Sequence, residues 1–298
     1  MITYQEERER RMKKLTRLIY SLPALLILAL TISACGGGGS GSTGSTPSQG
    51  KFVDTTVDGI TYKSGTLTGV TDVNGTFSYQ SGQPVTFSVG GIVLGTVSGS
   101  AIITPVQLVA GATNQTNPVV TNIVQFLLTI DDDNDPANGI QITAAVRAAA
   151  AGLSLNFTLT NFDTDGAVSS VINTLTTASV FGSRVLVSNA VAQAHLSSSL
   201  FSLLSGSYTG TYGGTDSGNW TIAITTAGLV SGNGTSNSGG PFTITGNVNT
   251  SGTTSATASG GAASASWGGI IDITTGIFSG SWSDIAGSGL GTFSGNKI

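Results

Sequence analysis

The last third of the chain alternates. Between residues 205 and 298, apolar residues recur at every second position: Trp220, Ile222 and Ile224; Phe242, Ile244 and Val248 around Gly246; Ala265, Trp267, Ile271 and Ile273 around Gly269. Ser, Thr, Asn and Gly stand between them, and the only charges in the stretch are Asp216, Asp272, Asp284 and Lys297. A period of two places one set of side chains on one face of a strand, whereas a helix needs 3.6. Without that alternation so polar and Gly-rich a stretch would read as disorder. With it, and with Gly at hairpin distances, the stretch reads as β-structure. Eight short strands fit, near 206–213, 219–226, 228–235, 241–249, 252–259, 263–273, 276–283 and 288–295. Short connections predict an up-and-down antiparallel meander, and closure into an eight-stranded barrel removes the sticky edges of so uncharged a sheet. Tyr208-Thr-Gly-Thr-Tyr212 and Phe278-Ser-Gly-Ser-Trp282 each set two aromatics and a central Gly on one strand face. With Trp220, Phe242, Trp267 and Phe293 they supply eight rings for an interior that is either just filled by side chains or holds one small ligand. This C-terminal part resembles the β-domains of Gly/Ser/Thr-rich bacterial surface lipoproteins, a likeness carried by the composition and the aromatic-x-Gly-x-aromatic strands.

Upstream, the fold class is multidomain: mainly β, with a central α-helical segment. Residues 51–112 are strand-like. Asn74-Gly75 lies between two β-prone runs and favours a type I′ hairpin; Ser81-Gly82-Gln83-Pro84 is the next turn; Val85, Phe87 and Val89 alternate; Ile92–Leu94 and Ile102-Ile103 extend the core. The run Thr71–Tyr79 (TDVNGTFSY) resembles the repeat of prealbumin-like or carboxypeptidase-regulatory-like β-sandwich modules, which implies a small sandwich without catalysis. Residues 113–204 are helical. Val120, Ile123, Val124, Leu127 and Leu128 follow Asn117 as a cap and Pro118 at the first turn; Ala144–Ala151, Ala167–Leu175 and Asn189–Leu204 suggest three more helices. None reaches the roughly 20 residues of a membrane span.

The N-terminus (1–34) reads as a secretory signal. Met12-Lys-Lys-Leu-Thr-Arg17 precedes an apolar run from Leu18 to Ile32, and small residues follow. Residues 1–11 (MITYQEERERR) fit a leader poorly, so Met12 is a second candidate start. Ile32-Ser33-Ala34-Cys35 resembles the lipobox of bacterial lipoproteins. The resemblance implies cleavage before Cys35, acylation of its thiol and new amino group, and hence a membrane partner reached through lipid. Gly36 rather than Asp after the Cys implies, by the same likeness, an outer-membrane location facing the periplasm or the cell surface. Residues 36–50 (GGGGSGSTGSTPSQG) cannot bury a core and read, after the lipidated Cys35, as a flexible linker.

From position 35 onward five cations face twelve Asp residues, which disfavours a nucleic-acid partner. One His and one Cys leave little for a His/Cys metal site or a disulfide scaffold. Asp131, Asp133 and Asp135 alternate in an acidic turn, as in loops that wrap Ca²⁺ with oxygen ligands, and a structural Ca²⁺ is one reading. The EF-hand template fails there, because Pro136 stands where Gly is needed and Ile142 where the bidentate Glu is needed; the other reading is a solvated Asx turn. Asp163-Thr164-Asp165 admits the same two readings. His195, on an Ala/Leu helix with no G-x-S-x-G anywhere in the chain, reads as a capping or packing residue. The expectation is a non-enzymatic, lipid-anchored envelope protein for surface binding, adhesion or scaffolding, with a protein or glycan partner. The alternative is a carrier holding a small apolar ligand in the barrel.

Overall fold

The computed structural model describes residues 46–260, 264–285 and 289–298; the apolar run read as a leader, Cys35 and residues 36–45 of the stretch read as a linker lie outside the described residues. Nine strands precede the barrel among the described residues. β1 (Ser48–Phe52) lies between β5 (Thr76–Tyr79), antiparallel to it, and β8 (Ile102–Ile103), parallel to it. A second, antiparallel sheet runs in the order β4 (Leu67–Val70), β3 (Thr61–Ser64), β6 (Pro84–Val89), β7 (Ile92–Ser98). A short parallel pair joins β2 (Val57–Asp58) to β9 (Ile140–Gln141) beyond the first helix. Phe52 and Phe77 from the first sheet each put their rings 5.0 Å from Phe87 of the second, so aromatic contact holds the two sheets face to face.

Two expectations are corrected here. The linker does not extend to residue 50, because Ser48, Gln49 and Gly50 already pair with Tyr79, Ser78 and Phe77. Gly50 is a packing residue: a Cβ there would drive into the Phe77 ring and the Ser100 carbonyl. Asn74-Gly75 also does not close a hairpin, because β4 pairs with β3 whereas β5 pairs with β1. Asp72 decides the turn. Its Oδ1 accepts the N–H groups of Asn74 (2.9 Å) and Thr76 (2.8 Å), and its carbonyl accepts that of Gly75 at 2.7 Å. Only Gly75, at φ +72°, then needs the left-handed region, and the chain passes from one sheet to the other.

Four helices follow: α1 (Pro118–Thr129), α2 (Ala144–Ala149), α3 (Gly166–Thr177) and α4 (Asn189–Leu204). Asn117 caps α1 by accepting the Val119 and Val120 N–H groups, as its sequence signature requires. No helix among the described residues is long and apolar enough to cross a membrane. One continuous core runs from Phe52 to Leu200, so the strands of 51–112 and the helices of 113–204 are packed on each other. α4 leaves this core at Leu200 and enters the next at Leu204, whose carbonyl accepts the Tyr208 hydroxyl at 2.8 Å.

The barrel closes in sequence order: β10 (Gly206–Gly214), β11 (Gly218–Ile224), β12 (Leu229–Ser236), β13 (Gly240–Val248), β14 (Thr253–Gly260), β15 (Ala265–Ile271), β16 (Ile277–Asp284) and β17 (Leu290–Lys297), which pairs back with β10. All eight rings named from the sequence belong to its apolar core, with Phe242 only partly buried. Large rings fit because glycines stand opposite them: Trp220 is registered between Gly210 on β10 and Gly234 on β12. Ser, Thr and Asn occupy most outward positions, the inverse of a lipid-facing barrel. The hairpins at Thr225–Gly228 and Asn249–Gly252 repeat the Asp72 device, with a side-chain oxygen accepting the N–H groups two and four residues on.

A Cβ at Gly295 would lie 2.6 Å from Cζ2 of Trp220, whereas one at Gly268 would meet nothing within 4 Å. Gly295→Ala is therefore expected to cost about 1–3 kcal/mol through overpacking. Gly268→Ala should lie near neutral; urea midpoints of the two variants provide the comparison.

Candidate functional site at the barrel mouth

The two ends of the barrel differ. At the end where α4 arrives, the protein covers its own core. Phe201 sits against Gly228, and Ile273 packs on both apolar cores. At the other end, where β10 turns into β11 and β12 into β13, the mouth holds a cavity of about 310 Å³. Tyr212, Phe242, Trp267 and Trp282 line it with rings. Tyr212 is the hub: its ring centroid lies 5.8, 5.5 and 5.7 Å from those of Phe242, Trp267 and Trp282, in edge-to-face contacts of 76°, 68° and 86°. Trp282 is oriented by a hydrogen bond from Nε1 to the Gly213 carbonyl (3.2 Å). Trp267 packs its ring against Tyr212 and stacks on Phe293 at 4.7 Å.

The polar part of the mouth is acidic. Asp216, in the β10–β11 turn, accepts the Tyr212 hydroxyl (2.9 Å) and the Ser236 hydroxyl (2.7 Å) on Oδ2 and the Ser238 hydroxyl (2.7 Å) on Oδ1. Burial pushes its carboxyl up, but these donors and the Ser217 N–H outweigh burial and hold it at about 2. Burial and the neighbouring carboxylate push the Tyr212 hydroxyl up to about 12, so at neutral pH a phenol donates to a carboxylate. Asp284, at the end of β16, accepts the Gly289 N–H at 2.7 Å. Among the described residues no Lys, Arg or His lines the cavity.

Other residues singled out from the sequence lie elsewhere. Asp131 and Asp133 are close enough for one charge to act on the other, whereas Asp135 caps the short 3₁₀ turn Pro136–Asn138 through the Ala137 N–H. Asp131 Oδ1 accepts the Gln141 N–H, and Asp133 binds the Asn138 amide and the Asp135 N–H. Among the described residues no three His, Cys, Asp or Glu side chains are grouped to hold a metal. Arg184, which sequence reasoning passed over, ties this turn to the end of α1 by donating to the carbonyls of Thr129 and Asp131. Asp165 is the N-cap of α3, accepting the Ala167 and Val168 N–H groups.

His195 packs on a partner that sequence reasoning also missed. Its Nε2 lies 3.4 Å from Oδ1 of Asp54, a fully buried carboxyl whose oxygens have no hydrogen-bond partner among the described residues. Thr55 beside it is held at φ +58°, with its N–H donated to the Ser199 hydroxyl. The spacing is that of an ion pair, but burial raises Asp54 to about 8 and lowers His195, so at neutral pH an uncharged carboxyl faces an uncharged imidazole.

Comparison of the chain with models of known protein families and with curated proteins finds no match.

Asp54 binds its proton more tightly folded, at about 8, than at the ordinary 3.8. Its contribution to stability is present below about 4 and is lost as pH rises through about 8. His195, with its lowered value, acts in the opposite sense only up to its ordinary 6.5, so the window above that isolates Asp54. Denaturant titrations between pH 6.5 and 9 should show stability falling with pH for the wild type and a flatter profile for Asp54→Asn. Parallel profiles would refute the assignment.

Proposed function

We propose that this chain is a non-enzymatic, lipid-anchored protein of the bacterial outer membrane. Its job is binding at the cell surface or scaffolding in the envelope, with the barrel mouth as its recognition site. The observation that carries the reading is the contrast between the two barrel ends, one covered by α4 and one opening into a ring-lined cavity with carboxylates at its rim. The likeness of Ile32–Cys35 to a lipobox supports the anchor. The outward Ser and Thr of the strands suit a water-facing barrel, held to the membrane by acyl chains, each buried CH₂ adding about 0.8 kcal/mol. The engagement of His195 with buried Asp54, and no hydroxyl bonded to its ring among the described residues, supports a packing role.

The alternative, a carrier enclosing an apolar molecule, is limited by the void at mid-barrel. The space between Trp220, Ile222, Trp267 and Phe278 is about 10 Å³, at the lower bound for one water. A small ligand therefore belongs at the mouth.

Labelled palmitate should enter the wild-type protein and not Cys35→Ser, which should move from the membrane to the soluble fraction. Equal labelling, or retention of the variant in the membrane, would refute the anchor. Protease treatment of intact cells should degrade the barrel if it faces outward; its survival would restrict the role to the periplasmic side.

A further inference from the structure

Among the described residues lining the mouth, the acidic side chains are Asp216 and Asp284, and the large apolar side chains are aromatic. Asp216 is held in its charged form by three hydroxyl donors, so its charge is built into the site rather than induced by an occupant. Asp284 stands across the same cavity, beside Thr215: a Cβ on Gly289 would touch both Asp284 Oδ2 and Thr215 Oγ1. A pocket that combines fixed negative charge with Tyr and Trp rings attracts a cation twice, through the carboxylates and through the ring quadrupoles. It repels phosphates and carboxylic acids for the same reason. Its volume, about 310 Å³, falls at the small end of ligand pockets, which run from roughly 300 to 1,000 Å³.

Resting on the mouth as a recognition site, we infer that the ligand is a small organic cation, an alkylammonium group, held between the aromatic walls and the carboxylates of Asp216 and Asp284. The rings take the alkyl groups on nitrogen and the carboxylates balance the charge. A neutral molecule of the same shape loses the electrostatic part and keeps only the contact.

The test uses the full chain in a nonionic detergent, with choline and its uncharged isostere 3,3-dimethylbutan-1-ol as probes. All three tryptophans of the chain lie in the barrel, so their fluorescence reports on it. Choline is expected to change the fluorescence saturably, the isostere at least tenfold more weakly, and added salt should weaken choline alone. Asp216→Asn should lower choline affinity about tenfold. Because that variant loses acceptor capacity toward Tyr212 and Ser236, the wild-type contrast between the probes stands independently of whether it folds. Equal affinity for the two probes would overturn the cation inference and leave the mouth as a binding site. Saturable binding of a neutral oligosaccharide, with no response to choline, would also overturn it while keeping the recognition reading. No response to any probe would overturn both.

Discussion

A closed sheet with almost no charge stands or falls on how its interior is filled. Here eight aromatic side chains project into a barrel of eight strands, and each needs more room than a regular strand neighbour would leave. Glycine creates that room. Trp220 lies level with Gly210 and Gly234, Phe293 with Gly280, and Trp282 with Gly291. The rings then meet edge to face or stacked, with Trp267 and Phe293 4.7 Å apart. Closure pairs every strand on both sides, which so polar an outer surface could not otherwise protect from edge-to-edge association. The abundance of glycine, 43 residues in the chain, is thus partly a packing requirement and not only a sign of flexible linkers. Gly50, met at the end of a Gly/Ser run, makes the same point outside the barrel.

The ring packing is also what makes a mouth. Tyr208, Trp220, Phe278 and Phe293 lie against one another and fill the middle and the α4 end. Tyr212, Phe242, Trp267 and Trp282 form the last layer and line the mouth cavity. Asp216 and its hydroxyl donors hold this layer through the Tyr212 hydroxyl, so the polar rim and the aromatic floor are one hydrogen-bonded assembly. Such an assembly is pre-organised: its donors and charges are placed before anything enters.

Much of this was legible in the residues. Period-two alternation placed all eight barrel strands, because a one-residue slip would turn every ring outward. Asn117-Pro118 marked α1, since a capping amide followed by a residue without an N–H suits only a helix start. Asp216 and Asp284 were visible as two of four charges in the stretch, and counting strands would have put both at the same end of a meander; the rings drew attention away from them. What the residues could not convey was contact at long range. Asp54 and His195 are 141 positions apart, and neither carries a local pattern that calls for the other. Asn74-Gly75 misled because its hairpin preference is local, whereas Asp72 and the pairing of β1 with β5 decided the turn.

The position of β1 has a mechanical consequence. It is the middle strand of its sheet, with β5 antiparallel on one side and β8 parallel on the other, and its first paired residue is Ser48. A pull applied at Ser48 in the direction of β1 would load the strand along its length and not across it. Its backbone bonds to both neighbours would then be sheared together rather than unzipped one at a time, so this end of the described fold would resist a pull directed along β1.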